Sequence, residues 1–247
     1  TALTAGSSQS GATYAATYDG VGVASAITLT PAGGSAISWS SSTDTFGVLL
    51  INNNVDAVVS ADGTRYALAA NPFRFGWNYQ SFGIWATGAG TGSGTYGAMS
   101  VGAATTGTSI PASGVATYTG ATGGRFVASD GRYFFTSSSM TAAANFTTRS
   151  INFSTSNTSL TPDLLATTSA NFTPLNLTGT LSYAANTNQI TGSVSAAGGT
   201  ASGITVNAIT GSVNGRFYGP SAQEIGGTFG LTGAGVEGYA GAFGGKR

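Results

Sequence analysis

Short stretches of strict apolar–polar alternation recur along the chain. In one, Ile151 and Phe153 stand between Ser150, Asn152 and Ser154. In another, Phe73, Phe75, Trp77 and Tyr79 share one face, with Arg74, Gly76, Asn78 and Gln80 on the other. A period of two is that of a strand with one buried face. No window of helical length carries an apolar stripe at helical spacing without a Gly or a β-branched interruption. Gly separates these segments, with 39 copies. Asp19-Gly20, Asp62-Gly63 and Asp130-Gly131 predict tight turns in which Gly takes a positive φ. Ala185–Asn188 predicts a further turn, folding Leu177, Leu181 and Tyr183 back on Ile190 and Val194 as a long hairpin. Between Ile204 and Phe217 the apolar parity slips from even (Ile204, Val206) to odd (Ile209, Val213, Phe217), which predicts a β-bulge near Ala208. Many short strands between turn residues define an all-β chain, a sandwich or a barrel.

The stretch Thr105–Ser113 reads as a linker, rich in Thr, Ser, Gly and Pro. It divides the chain into a β-rich, aromatic-rich region at 1–108 and a second region at 109–247 that holds about eight strand candidates. Within the second region, Asn157–Pro174 reads as a long loop between strands.

Charge narrows the functional classes. Charged residues make up 6% of the chain and the formal net charge is +0, against about 25% charged residues in ordinary soluble proteins. The basic residues are scattered, so there is no electrostatic footprint for nucleic acid. No apolar run approaches the roughly 20 residues of a membrane-spanning helix. Thr1 reads as following a removed segment, and no Cys is present to carry a lipid anchor. Polarity supplied by Ser, Thr, Asn and Gly, with so weak a field, fits a bacterial surface or secreted protein that meets a protein partner or copies of itself.

The chain has no His and no Cys. It therefore lacks an imidazole base, a Ser-His-Asp triad and a thiolate nucleophile. Three of its eight acids are Asp residues placed before Gly, a turn position, and no paired carboxylates suggest glycoside hydrolysis. No run of alternating Asp residues suggests calcium. Haem would have to take Tyr, Met99 or Met140 as axial ligand, and buried packing is the expected role of most of those side chains. The reading is a non-enzymatic protein with no cofactor and no metal. The binding candidates are Phe73, Phe75, Trp77, Tyr79 and Trp85, because exposed aromatic side chains anchor interfaces. The same alternation is also what the core face of a half-buried strand would show.

The sharpest signature lies near the C-terminal end. It runs Gly215-Arg216-Phe217-Tyr218-Gly219-Pro220-Ser221-Ala222-Gln223-Glu224-Ile225-Gly226-Gly227-Thr228-Phe229, followed by Gly241-Ala242-Phe243-Gly244-Gly245-Lys246-Arg247. On its own terms, Phe217 ends a strand and Gly219-Pro220 breaks it. Ser221–Glu224 forms a helical turn, with Glu224 holding backbone N–H groups of the turn. Gly226-Gly227 lets the chain reverse, and Phe229 opens the next strand.

This signature resembles the β-barrel domain of the transferrin-binding protein B family of Gram-negative surface proteins. Ser81–Gly88 and Gly97–Gly102 resemble the handle half of short chains of that kind. The resemblance implies an N-terminal β-rich handle domain at 1–108 followed by an eight-stranded antiparallel β-barrel at 109–247. In it Phe217, Tyr218, Gly219, Pro220, Glu224, Gly226 and Gly227 form a structural barrel turn. It also implies a cell-surface or secreted binding protein for nutrient (iron or haem) or host-protein capture, with an outer-membrane receptor as a further partner. The alternative is a structural role, as a self-assembling coat or filament subunit or an accessory subunit of an outer-membrane complex.

Overall fold

The computed structural model describes residues 3–8, 12–31, 33–49, 54–91, 93–162, 164 and 168–247. Among the described residues, nine strands precede Thr105. β1 (Leu3–Ser8) pairs in parallel with a later strand. β2 (Thr13–Tyr18), β3 (Ala24–Thr30) and β4 (Ile37–Ser40) form a three-stranded meander. β5 (Thr45–Leu49), β6 (Val55–Val59), β7 (Arg65–Ala70), β8 (Gln80–Thr87) and β9 (Gly94–Gly102) complete a six-stranded sheet in the order β1-β9-β8-β7-β6-β5.

Side chains of this six-stranded sheet divide by parity. Val58, Ala67, Ala69, Trp85 and Met99 pack beneath the meander, against Ile27, Leu29, Ile37 and Trp39. Tyr66, Leu68, Phe82, Ile84, Ala86, Tyr96 and Ala98 face the opposite way, against Ala121, Phe135 and Ala242 of the second region. The central strands are thus buried on both faces, which is why they read as apolar runs instead of alternating patterns. Each large side chain so covered contributes roughly 1.5–3 kcal/mol of transfer free energy.

The second region is a closed barrel. Its strands are β10 (Val115–Ala128), β11 (Tyr133–Asn145), β12 (Ser150–Thr161), β14 (Leu177–Ser182), β15 (Ile190–Ala196), β18 (Ile209–Tyr218), β19 (Glu224–Gly233) and β20 (Val236–Lys246). All pairings among these eight are antiparallel. β10 pairs with β20 and β11 with β12, so the sheet has no free edge. A short β13 (Ala170–Asn171) lies on β12, and β16 (Gly199–Ala201) and β17 (Ile204–Val206) form a small hairpin.

The barrel interior is filled by rings set over glycines. A Cβ at Gly227 would lie 2.7 Å from the Phe243 ring, and one at Gly241 would lie 2.5 Å from the Phe229 ring. Tyr118, Phe126, Phe153, Phe217, Phe229 and Phe243 are buried in this core. Met140 belongs to it too, and Met99 lies in the core beneath the meander.

Several sequence expectations change. The alternation at Phe73–Tyr79 is not a strand: Pro72–Phe75 is one helical turn, α1, with the Asn71 side chain accepting from the Arg74 N–H. Pro at the first helical position and Asn before it set that turn, and Gly76 closes it in the left-handed conformation at φ 65°. The parity slip near Ala208 is not a bulge but the gap between β17 and β18, which belong to different sheets. Asn157–Pro174 is not wholly loop, because β12 runs on to Thr161. Gly63 and Gly131 take φ of 70° and 80°, as expected of their turns, whereas in the first turn Gly22, not Gly20, takes the positive φ, 78°. The Leu177–Val194 hairpin is present as β14 and β15.

Candidate functional site

Two regions concentrate specific side-chain chemistry: the seam between sheet and barrel, and the outer tip of the sheet region.

The seam is built around the Phe217–Gly227 signature. Gly219–Ala222 is a turn, not a helix, with Ala222 in the left-handed conformation at φ 59°. Glu224 already lies in β19, and its carboxylate does not hold its own turn. Oε1 accepts the Asn78 N–H at 2.7 Å and Oε2 accepts the Tyr79 N–H at 3.1 Å. It thereby fixes the loop between α1 and β8 to the barrel while only 2% exposed. The next residues continue this job. Gly226 is not a reversal point; it removes a side chain from the barrel wall where a Cβ would sit 2.2 Å from Gln80 Oε1 and 2.7 Å from Ser100 Oγ. Gly227, one position on, points inward and makes room for Phe243. The two glycines thus serve opposite faces of one strand.

Gln80 Nε2 donates to the carbonyls of Ile225 at 2.8 Å and Gly245 at 3.0 Å. Tyr218 and Ser100 hydroxyls pair at 2.8 Å. The Thr105 hydroxyl donates to the Gly219 carbonyl at 2.6 Å. Asn188 imitates a strand segment: its amide donates to the carbonyls of Thr105 and Phe217 and its oxygen accepts the Phe217 N–H. Gly219 has φ 85°, and the Tyr79 ring lies against it, 2.6 Å from where a Cβ would be. Small residues on the outer face of β19 and β20 let the handle-like sheet approach this closely, as at Gly244 beneath Phe82 and Trp77.

The outer tip lies where the β2–β3 turn meets α1. Asp19 accepts the N–H groups of Val21 and Val23, and this hydrogen bonding holds its carboxyl below the usual range. Asn71, fully buried, donates to the Gly22 carbonyl at 2.8 Å and to both oxygens of Asp56. Burial pushes the Asp56 carboxyl up, opposed by the Asn71 hydrogen bonds and the Arg74 charge. Phe73 projects outward, 67% exposed, with its ring 5.3 Å from that of Tyr18. Gly22 lies against Phe73, and its neighbours Val21 and Val23 are 82% and 46% exposed. Three of the five large exposed apolar side chains among the described residues therefore meet at this tip.

The five aromatic residues singled out from the sequence are not one surface. Phe73 is exposed at the tip. Phe75 is half-buried and stacks on the buried Trp77 at 4.2 Å. Tyr79 belongs to the seam. Trp85 is buried on the other side of the sheet, beneath the meander. Tyr18, Val21 and Val23 were missed, since they sit on a turn and on a strand far from Phe73 in the chain. Gln80, Ser100, Thr105 and Asn188 were missed because single polar residues give no periodic signal.

A β-sheet handle clamped by hydrogen bonds onto the outer wall of a closed eight-stranded barrel defines a handle-and-barrel lobe. The family described as the C-lobe and N-lobe beta barrels of Tf-binding protein B matches residues 110–247, and this chain belongs to that family. No curated protein sequence matches it. Among solved structures, the transferrin-binding protein B vaccine antigen from Haemophilus parasuis is 15% identical, with a TM-score of 0.56 over 90% of this chain and 50% of that one. Intact Ap-TbpB, with both lobes, is 18% identical with a TM-score of 0.55, over 95% of this chain and 45% of that one. Isotype 1 transferrin-binding protein B from serogroup B Neisseria meningitidis is 18% identical with a TM-score of 0.52, over 87% and 38%. The chain thus spans half or less of the length of these relatives, and the likeness is one of fold.

Proposed function

We propose that this chain is a non-enzymatic binding protein of the cell surface or extracellular space that captures a protein partner through its outer tip. The observation that carries this reading is the meeting of Phe73, Val21 and Val23, all exposed, at one end of the handle. Exposed aromatic and β-branched side chains on a rigid turn make an anchor of the kind that dominates protein interfaces. The turn is held rigid by Asp19, Asn71 and Asp56, so little ordering entropy opposes binding. The names of the structural relatives concern transferrin, which makes host iron proteins the first partners to test and nutrient capture the process served. Delivery to an outer-membrane receptor is the corresponding next step.

The test is surface capture of the purified chain on immobilised transferrin and haemoglobin, with Phe73→Asp as the control. Binding that Phe73→Asp abolishes supports the reading. Binding that is indifferent to Phe73 moves the interface elsewhere, and the absence of either partner at micromolar concentration removes iron-protein capture. Self-assembly is the second reading, favoured by a charge content of 6% and a net charge of +0. Light scattering decides it: a monomer at high concentration removes it.

A further inference from the structure

At the opposite end of the handle sheet from Gln80 and Gly102, Tyr66, Ala86 and Tyr96 lie in register across β7, β8 and β9. All three face the barrel. The small Ala86 leaves a gap between the two tyrosines, and Arg125 of β10 reaches up beside it from the barrel wall. Its Nη1 donates to the Tyr66 hydroxyl. Its guanidinium lies 4.2 Å from the centre of the Tyr133 ring and 5.4 Å from that of Tyr96. Arg125 is 6% exposed, and its Nε is buried with no hydrogen-bond partner. The ion pair formed nearby joins Arg132 to Asp130 instead. A cavity of about 350 Å³ opens here, lined by Tyr66, Tyr96, Arg125, Tyr133 and Glu237 among others.

Among the described residues no carboxylate forms an ion pair with this guanidinium, and a buried charge so placed is costly, because its desolvation is not repaid by a close opposite one. Cation–π contacts recover part of that cost. The remainder marks a place where an anion is favoured. Tyr66 accepts from Arg125, so its own proton remains to be donated. The aromatic walls suit a flat, apolar body, and the volume falls in the lower range of small-ligand sites, roughly 300–1,000 Å³. Glu237 also lines the cavity but is solvent-exposed, so water screens its charge more than that of the buried Arg125, and the repulsion it adds is smaller for a monoanion than for a dianion.

We propose that this cavity binds a small, flat monocarboxylate, with Arg125 supplying the charge and the tyrosines the hydrogen bonds and ring faces. The site is independent of the protein-capturing tip.

The test is calorimetric titration of the full chain with benzoate as probe, alongside benzamide as its neutral counterpart and inorganic phosphate. Benzoate is expected to bind at least about tenfold more tightly than benzamide or phosphate. Arg125→Met is expected to lower benzoate affinity at least about tenfold while circular dichroism shows a folded chain. If that variant fails to fold, Glu237→Gln keeps the test open, since removing a like charge should raise benzoate affinity about two- to fivefold. Absence of benzoate binding, equal binding of benzamide, tighter binding of phosphate, or a folded Arg125→Met that binds as well as the parent would each overturn the proposal. So would a Glu237→Gln variant that binds benzoate no better.

Discussion

The carboxylate of Glu224 accepts the backbone N–H of Asn78 at 2.7 Å, across a sequence separation of 146 residues. With the Tyr79 N–H on its second oxygen, this one side chain serves two backbone donors of the handle. Glu224→Ala should therefore leave two N–H groups without their acceptor. The expected loss is about 2–4 kcal/mol, read from urea denaturation, with faster proteolysis in the loop that holds Asn78. A loss under about 0.5 kcal/mol would show that the clamp does not hold the seam.

Gly226→Ala and Gly230→Ala form a matched pair on one strand. At Gly226 a Cβ meets Gln80 Oε1 at 2.2 Å, and Gln80 cannot move aside without losing its bonds to Ile225 and Gly245. At Gly230 nothing lies within 4 Å. Gly226→Ala should cost about 1–3 kcal/mol, and Gly230→Ala should be neutral or slightly stabilising. Thermal unfolding of both variants checks the contrast; equal effects would refute the packing account.

Asp56 carries an unusual pH signature. Burial raises its carboxyl pKa in the folded state. Its contribution to stability is therefore fully present below the ordinary carboxylate pKa and is lost as pH rises through the raised value. Asp62 behaves oppositely: hydrogen bonds from Ser60 and Thr64 hold it down at about 2, so its contribution is present above the ordinary range and fades as pH falls toward that value. Asp56→Asn removes only the first effect. The stability of the variant relative to the parent should rise between pH 3 and pH 7, whatever constant offset the substitution brings. Denaturation midpoints across that range measure it, and a difference that falls with pH would contradict it.

Phe73→Asp separates binding from folding. The side chain is 67% exposed and its described ring contact is with Tyr18. Stability should change by no more than about 0.5–1 kcal/mol, while partner capture drops at least about tenfold. A variant that captures as well as the parent would place the anchor elsewhere.

The strands of the barrel were legible in the sequence because they obey a local rule, while their closure into a barrel was implied only by the resemblance of the Gly215–Phe229 signature. Ile151 and Phe153 alternate with Ser and Asn, and hairpin turns announce themselves by Asp-Gly and by Ala185–Asn188. The handle was less legible for a physical reason. Its strands are covered on both faces, so Tyr66–Ala70 and Phe82–Ala86 lose the alternation that betrays a strand. The alternation of Phe73, Phe75, Trp77 and Tyr79 misled because Asn71 and Pro72 start a helical turn, a capping effect that outweighs period. The signature at Phe217–Gly227 was visible as a motif, but its work was not. That Glu224 and Gly226 face the handle depends on partners near residue 80 in the sequence, and no local pattern encodes them. The tip was half legible: Phe73 was singled out, whereas Val21 and Val23 became its neighbours only through the Asn71 bond to Gly22.

The register of β10 against β20 also sets an order of events. Thr119 pairs with Lys246 and Val127 with Gly238, so the barrel cannot close until its last strand has been made. The handle is completed by residue 102, yet Tyr66, Leu68, Phe82 and Ile84 find Ala242 and the Gly226–Gly244 wall only at that same late moment. During synthesis the first-made region therefore carries a naked apolar face for as long as the rest of the chain takes to follow. Contacts this distant in sequence are slow to form, and a chain emerging amino end first needs that face shielded by something other than its own barrel.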